Sequence, residues 1–401
     1  MKNMEKIDFR NLSISQRRDE IKNWNQQADF SNLFEKKLNE ERAAQTNCEN
    51  LVGSVAVPLG VAGPVEIKEK GEFILPLATS EGALIASVSR GLRAINESGG
   101  AIVFSERIGM SRAPVFAFKD GSEAFAFQKF AHEKETINKI KKIAEATSSH
   151  LIFKDLQSWV RGRKVYLRFV FDTDQAMGMN MVTIALKQIW DQFLNEYPGI
   201  EMISISGNLC TDKKSSVINT LLGRGDFAHA EVFISKKIVE EILKSSVDSI
   251  LETHLAKNLV GSNLAGSFSQ NMQAANVVAA FFLATGQDMA HLVEASQVSS
   301  SFEKEGDGLY VAVDMPNINL GTVGGGTWLD AQKEARLLIS PEKELSPLEL
   351  AEVLAVAVLA GEISGMAALS SKTLAKAHKE LARSKNPEEF HLKKDKQNDQ
   401  K

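Results

Sequence analysis

Cysteine is almost missing from this chain. Cys48 and Cys210 are the only two in 401 residues, too few for a disulfide framework and at a spacing that matches no zinc pattern. A reducing interior is implied. The seven histidines show no HExxH or other ligand spacing, so no metal is expected. No GxGxxG dinucleotide fingerprint is present. A basic excess is lacking as well: Lys+Arg 47 against Asp+Glu 51 leaves a formal charge of −4, which argues against a nucleic-acid partner. The N-terminus, MKNMEKIDFRNL, has no apolar core of a secretory signal. No apolar run reaches the ~20 residues that a membrane span needs. The expectation is a soluble, cytoplasmic protein without a membrane partner.

What is present is organised around residues 271–297. Val277 to Ala284 is apolar at eight consecutive positions, and a helix hydrophobic on every face is buried. A central core helix is predicted here. Asp288 follows it closely. A carboxylate so near a core must be paired, protonated or facing a cleft, unless the helix ends at Gly286 and Asp288 is a solvated cap. The residues leave these alternatives open.

Residues 1–48 read as a helical arm with a capping box at Ser13-Ile-Ser-Gln16, a packing element without chemistry. ENLVGSVAVPLGVAGPVEI (49–67) reads as strand, turn, strand. In LPLATSEGALIASVSRGLRAI (75–95), Glu81 is placed in the first turn of a helix, where the dipole favours a negative charge. From 113 to 205 the composition suits an inserted domain of strand, helix, helix, strand, helix. Its loop at Asp174–Asn180 joins a strand to a helix, and a Gly there lets backbone amides approach phosphate. Residues 204–226 hold a dense polar cluster with Ser206, Asn208, Thr211, Asp212, Lys213 and Lys214. NLGTVGGGTWLD permits close backbone approach. Residues 346–384 form an Ala/Leu-rich helical region, read as one helix or as two around Gly361 and Gly365. A charged tail (385–401) is expected to be disordered.

Together these motifs resemble the 3-hydroxy-3-methylglutaryl-CoA reductase family. ENLVGSVAVPLGVAGPV, LPLATSEGALIASVSRGLRAI, GMSRAP, AMGMNM, SGNLCTDKK, KNLVGS, AANVVAAFFLATGQD, GTVGGGT and LAKAH occur in the family's order across roughly residues 45–384. They are more similar to the form shared by eukaryotes and archaea than to the divergent bacterial form. The resemblance implies an α+β fold. A large, mainly helical substrate and CoA domain (49–112 and 206–384) is built around the central buried helix. A small α+β cofactor domain (113–205), ferredoxin-like and not Rossmann, is inserted into it.

The resemblance further implies an oxidoreductase that converts hydroxymethylglutaryl-CoA to mevalonate and CoA with two NAD(P)H, in the mevalonate route to isoprenoids. Its catalytic residues fall on Glu81, Lys213, Asp288 and His378. In that scheme Lys213 stabilises the oxyanion and His378 protonates the CoA thiolate. Glu81 supplies a proton to the alkoxide, and Asp288 lies between Lys213 and Glu81. Arg112, Ser206, Asp212, Lys257 and Asn276 match residues that hold the hydroxymethylglutaryl group, and Arg90 matches a CoA-phosphate contact. Ser149, His150, Gln175, Met177, Gly178, Met179 and Asn180 match the cofactor side, with Gly325, Gly326 and Thr327. The site is implied to lie at a boundary between subunits of a homodimer or higher homo-oligomer.

Two departures bear on the cofactor. Gln175 stands where the family has Asp, and His150 replaces an Arg. The first removes a repulsion to a 2′-phosphate and the second weakens a grip on it, so NADPH is expected and NADH is the alternative. Ser384 lies where animal enzymes carry a phosphorylated serine, but Leu381 replaces a basic residue and that regulation is not expected. The competing functions are a mevalonate oxidant using NAD and a catalytically silent CoA- or acyl-binding relative.

Overall fold

The structure is a computed structural model that describes residues 9–35 and 38–371. His378, Ser384 and the 385–401 tail lie outside the described residues.

Helix α1 (Ile14–Trp24) opens the arm with the capping box expected at Ser13 and Gln16. The arm docks through Phe9, Ile21, Trp24 and Phe30 onto Ile74 and Leu338, and Trp24 Nε1 donates to the Leu338 carbonyl at 3.0 Å. Strands β1 (Leu59–Ile67) and β2 (Gly71–Ala78) pair as a separate antiparallel hairpin. Helix α2 (Leu84–Glu97) follows. Its start corrects one sequence expectation: Glu81 precedes the helix and is not in its first turn. Ala83, at φ 75°, is the N-cap and makes no side-chain cap. Thr79 Oγ1 instead accepts the Glu81 N–H at 3.0 Å.

Strand β3 (Ile102–Arg112) leads into β4 (Val115–Ala117), α3 (Gly121–Ala131) and α4 (Lys134–Glu145), then β5 (Ile152–Arg161) and β6 (Lys164–Asp172). Helix α5 (Met179–Gln192), β7 (Glu201–Ser204) and β8 (Gly225–Ile234) come next. Within residues 113–205 the sequence reading omitted β5 and β7, and outside them it named no strand at β3 or β8. Among the described residues strand β5 pairs only with β6, and an edge strand tolerates the charges of Lys154, Asp155 and Arg161 that hide its alternation. After α6 (Ala274–Thr285), strands β9 (Ser299–Glu305) and β10 (Gly308–Ile318) complete an eight-stranded sheet, seven strands in the order β7-β4-β6-β3-β8-β10-β9 and β5 paired to β6 off that path. Strand β3 is shared: its N-terminal part pairs with β8 and its end with β6. Helices α7 (Asp330–Leu337) and α8 (Pro347–Ser370) end the described chain.

One buried cluster, from Met110 to Leu194, serves the segment around β4–β7, and a larger one serves α2, α6, α8 and the β8–β10 face. Along β8, Ala228, Ala230, Val232 and Ile234 are buried while the alternate residues are not, so one sheet face is covered. Helix α6 is mostly buried, with Ala279 and Leu283 only partly so, and among the described residues the longest core helix is α8, continuous through Gly361 and Gly365 and not split in two. By length and composition α8 could cross a membrane, contrary to the sequence reading, but 89% of its apolar window is buried against the rest of the chain. It crosses α2 so closely that a Cβ on Gly91 would lie 2.0 Å from the Ala360 carbonyl oxygen. Its buried Glu362 accepts the Met272 and Gln273 N–H groups at 2.7 and 2.8 Å. That satisfies donors left open at the start of α6.

Candidate active site

The polar loop 206–214 folds tightly, with Asn208, Thr211 and Lys213 at φ 62°, 56° and 58°. Such left-handed non-glycine residues persist where their surroundings hold them. Lys213 is held at both ends. Its Nζ lies 2.9 Å from Asp288 Oδ2, and its backbone N–H donates to Glu294 Oε1 at 3.0 Å. Asp288 also caps the turn that follows it, accepting the Ala290 N–H at 3.0 Å. Burial opposes its charge, but Lys213 and this N–H outweigh burial and hold its carboxyl below the usual aspartate range. Of the alternatives left open for Asp288, it is thus both a cap and an ion-pair partner. Lys213 and Asp288 remain 41% and 34% exposed, so the pair is open to a ligand.

Behind the pair lies a network that joins Arg112 and Asp212, which the sequence reading named, to buried Arg224, His291 and Glu294, which it missed. Arg224 and Glu294 are fully buried and joined by a 2.7 Å contact. Arg224 also reaches Asp212 at 3.2 Å, and Arg112 reaches the other Asp212 oxygen at 3.3 Å. His291 Nδ1 lies 2.7 Å from Glu294 Oε1. The spacing Asp288, His291, Glu294 was the available signal, because residues three apart stack on one face of a tight helical turn. Arg224 offered only a cation between two glycines. Asp212, His291 and Glu294 bring ligand-type atoms within 4.8 Å of one another, but Asp212 and Glu294 already face the Arg224 guanidinium, which would oppose a metal cation there.

The other predicted ligand residues divide into groups. Ser206 Oγ lies 3.4 Å from Cys210 Sγ, in the Lys213 loop. Lys257 Nζ donates to the Asn271 carbonyl at 3.3 Å. Glu81, Arg90 and Asn276 line a cavity of about 2330 Å³ beside α2 and α6. There Arg90 is partly committed, donating to the Ser364 hydroxyl at 3.0 Å and to the Ser364 carbonyl. Among the described residues, no hydrogen bond or ion pair joins Glu81 to Lys213 or Asp288.

On the cofactor side, the loop before α5 is stitched to the glycine-rich segment. Thr322 N–H donates to the Gln175 carbonyl at 2.9 Å, and Ala176 bridges Val323. Gly178, at φ 91°, sits so close to Thr173 that a Cβ would meet its side chain at 2.3 Å. Met177, Met179 and Asn180 flank it on the loop and first turn of α5. Gly325, Gly326 and Thr327 form a short 3-10 turn, and the Gly326 carbonyl would lie 2.5 Å from a Cβ on Gly286. Gln287, also missed, ties this region to Asp288. It accepts the Gly321 N–H at 2.9 Å and donates to its carbonyl at 3.1 Å. A second cleft of about 410 Å³ is lined by Arg107, Ser149, His150, Asp174 and Gln175. His150 Nδ1 lies 2.7 Å from Asp174 Oδ2 at its surface.

Comparison with known proteins decides the family. The family model for hydroxymethylglutaryl-coenzyme A reductase matches residues 13–383. The chain belongs to that family. The 3-hydroxy-3-methylglutaryl-coenzyme A reductase of Halobacterium salinarum is 44% identical over 351 residues, 86% of each chain. That of Methanocaldococcus jannaschii is 42% identical over 363 residues, 88% of this chain and 89% of the relative. Among solved structures, a class II reductase of the same name from Streptococcus pneumoniae, bound to NADPH in open conformations, aligns with TM-score 0.73. At 18% identity, covering 89% of this chain and 97% of that one, it bears on the fold alone. The family's mixed α/β fold is therefore shared by this chain.

Proposed function

We propose that this protein catalyses the four-electron reductive deacylation of (S)-3-hydroxy-3-methylglutaryl-CoA to mevalonate and CoA with two NAD(P)H. The observation that carries this reading is a half-exposed ammonium, Lys213, fixed at its side chain by Asp288 and at its backbone by Glu294. Hydride addition to a thioester creates an oxyanion, and a cation already in place when that charge develops lowers the barrier. Asp288 holds the lysine side chain in place. Glu81, in the wall of the large cavity, is the proton donor to the alkoxide. His378 is assigned the thiolate proton by its place in LAKAH. Arg112, Ser206, Asp212, Lys257 and Asn276 are assigned to the hydroxymethylglutaryl group and Arg90 to CoA.

The nicotinamide dinucleotide, when bound, supplies hydride. The Gly178 loop fits such a group: its φ and its closeness to Thr173 exclude a side chain, and it opens α5, whose N-terminal amides suit a phosphate. Met177, Met179 and Asn180 are assigned to the same side, with Gly325, Gly326 and Thr327. Ser149, His150 and Gln175 would face the adenosine end. We assign NADPH as the reductant with NADH as the alternative. The segment β4–β7 has internal strand order β7-β4-β6-β5 with antiparallel neighbours, which we read as a ferredoxin-like cofactor domain.

Among the described residues, the lining of the cavity beside Glu81 does not include Lys213 or Asp288, which supports a homodimer or higher oligomer whose second copy completes the site. Leu255, Val260, Leu264 and Phe268 are exposed, apolar surface of the kind subunit contacts cover.

The test is absorbance of the reduced nicotinamide with hydroxymethylglutaryl-CoA, in parallel lanes of NADPH and NADH. Two cofactors oxidised per CoA released supports the proposal, and the faster lane assigns the cofactor. Folded protein that binds CoA without oxidising either cofactor is instead a silent relative. Turnover confined to mevalonate, CoA and NAD would assign the oxidative direction.

A further inference from the structure

We infer that His291 is a positioning residue for Lys213, bridging the two carboxylates that hold that lysine by its side chain and by its backbone. The inference rests on the reading of Lys213 as the oxyanion-stabilising cation. His291 closes the 3-10 turn Met289–His291, whose N-cap is Asp288. Its ring is fully buried. Nδ1 lies 2.7 Å from Glu294 Oε1, the same oxygen that accepts the Lys213 backbone N–H. Nε2 lies 3.6 Å from Asp288 Oδ2, the oxygen paired with Lys213 Nζ, and 3.9 Å from Asp212 Oδ1.

Nε2 has no hydrogen-bond partner in this arrangement, although it is buried. A buried polar nitrogen left unpaired is costly; because Nδ1–H is given to the Glu294 carboxylate, Nε2 donates to Asp288 only when the ring carries both protons, and a small inward movement of Asp288 then makes this bond. The carboxylates that face His291 are Asp212, Asp288 and Glu294. Lys213, Arg112 and Arg224 pair with those same carboxylates, and the buried Arg168 acts on Glu294 electrostatically. This geometry, between the two carboxylates that hold Lys213, assigns His291 to orientation. Lys213 itself is in a left-handed conformation at φ 58°, which requires such fixing.

Two substitutions separate the two nitrogens. His291→Asn places an amide near Nδ1, keeping the Glu294 contact and losing the one to Asp288. His291→Gln reaches toward Nε2 and does the reverse. His291→Asn should keep its Tm near that of the parent while kcat falls about 10- to 100-fold, with KM for hydroxymethylglutaryl-CoA unchanged. The acid limb of its kcat–pH profile should move to higher pH, because the imidazole is one of the groups that hold the Asp288 carboxyl down. His291→Gln should keep that limb and most of kcat while losing Tm. Wild-type kcat and pH profile in folded His291→Asn would overturn the inference, as would losses in both variants that follow Tm alone. Lys213→Ala is run alongside. An inactive Lys213→Ala beside a normal His291→Asn removes this inference only, whereas an active Lys213→Ala removes the reading of Lys213 beneath it.

Discussion

Lys213 Nζ lies 2.9 Å from Asp288 Oδ2, joining a strained loop before β8 to the turn that ends α6. The strain and the pairing belong together. The left-handed conformations at Thr211 and Lys213 aim the ammonium at the carboxylate, and the buried Glu294 beneath holds the Lys213 backbone there.

Replacing Lys213 by Ala removes the cation that meets the oxyanion. Reduction of the thioester should fall at least about 100-fold, read as steady-state kcat with NADPH. Turnover within a few-fold of the parent would refute the assignment.

Gly178→Ala places a methyl group against Thr173 at a backbone angle that favours glycine. The variant should lose about 1–3 kcal/mol of stability and show a raised KM for the reduced nicotinamide. An unchanged KM would separate this loop from cofactor binding.

Glu362→Ala leaves two buried N–H groups at the start of α6 without their acceptor. Urea unfolding should show a loss of about 2–4 kcal/mol. Glu362→Gln keeps one acceptor oxygen and should lose less. Burial raises the Glu362 carboxyl above the usual range, against the opposing pull of the two N–H groups.

His229 sits on the open sheet face between Asp314, at 2.8 Å, and Glu231, at 3.1 Å. The hydrogen bond to Asp314 raises its pKa, burial opposes this, and Glu231 adds to the rise. A raised folded pKa means that its stabilisation is complete below the unfolded value and is lost as pH rises through the folded one. The Tm gap between the parent and His229→Gln should be widest below about pH 6.5 and narrow above it. A gap independent of pH would mean that the imidazolium is not involved.

His378→Ala should spare reduction of free mevaldehyde, where no thiolate leaves, far better than reduction of the thioester. Equal losses on both substrates would refute thiolate protonation by this residue.

Much of the fold could be read from residue patterns, because some elements carry their cause locally. The capping box at Ser13 and Gln16, the apolar run of α6 and the strand-to-helix loop at Gly178 are set by neighbours within a few positions. The start of α2 was misplaced because Thr79 turns the backbone at Glu81 before the helix begins. Strand β5 was missed because its solvent edge needs no alternation.

The sequence by itself determined the motif order that places the chain in its family, the helical core and the identity of the candidate acids and cations. Tertiary structure alone decided which of them meet. Asp288 was open between cap, ion pair and buried acid until Lys213 arrived from another segment. Arg90, which resembles a CoA contact, donates to Ser364 on α8. The Arg224–Glu294–His291 network exists only where β8, the Lys213 loop and the turn after α6 converge. Local pattern reports which face a residue occupies. A buried charge is satisfied by whatever the fold brings opposite it, and that partner is set by packing between segments distant in the chain.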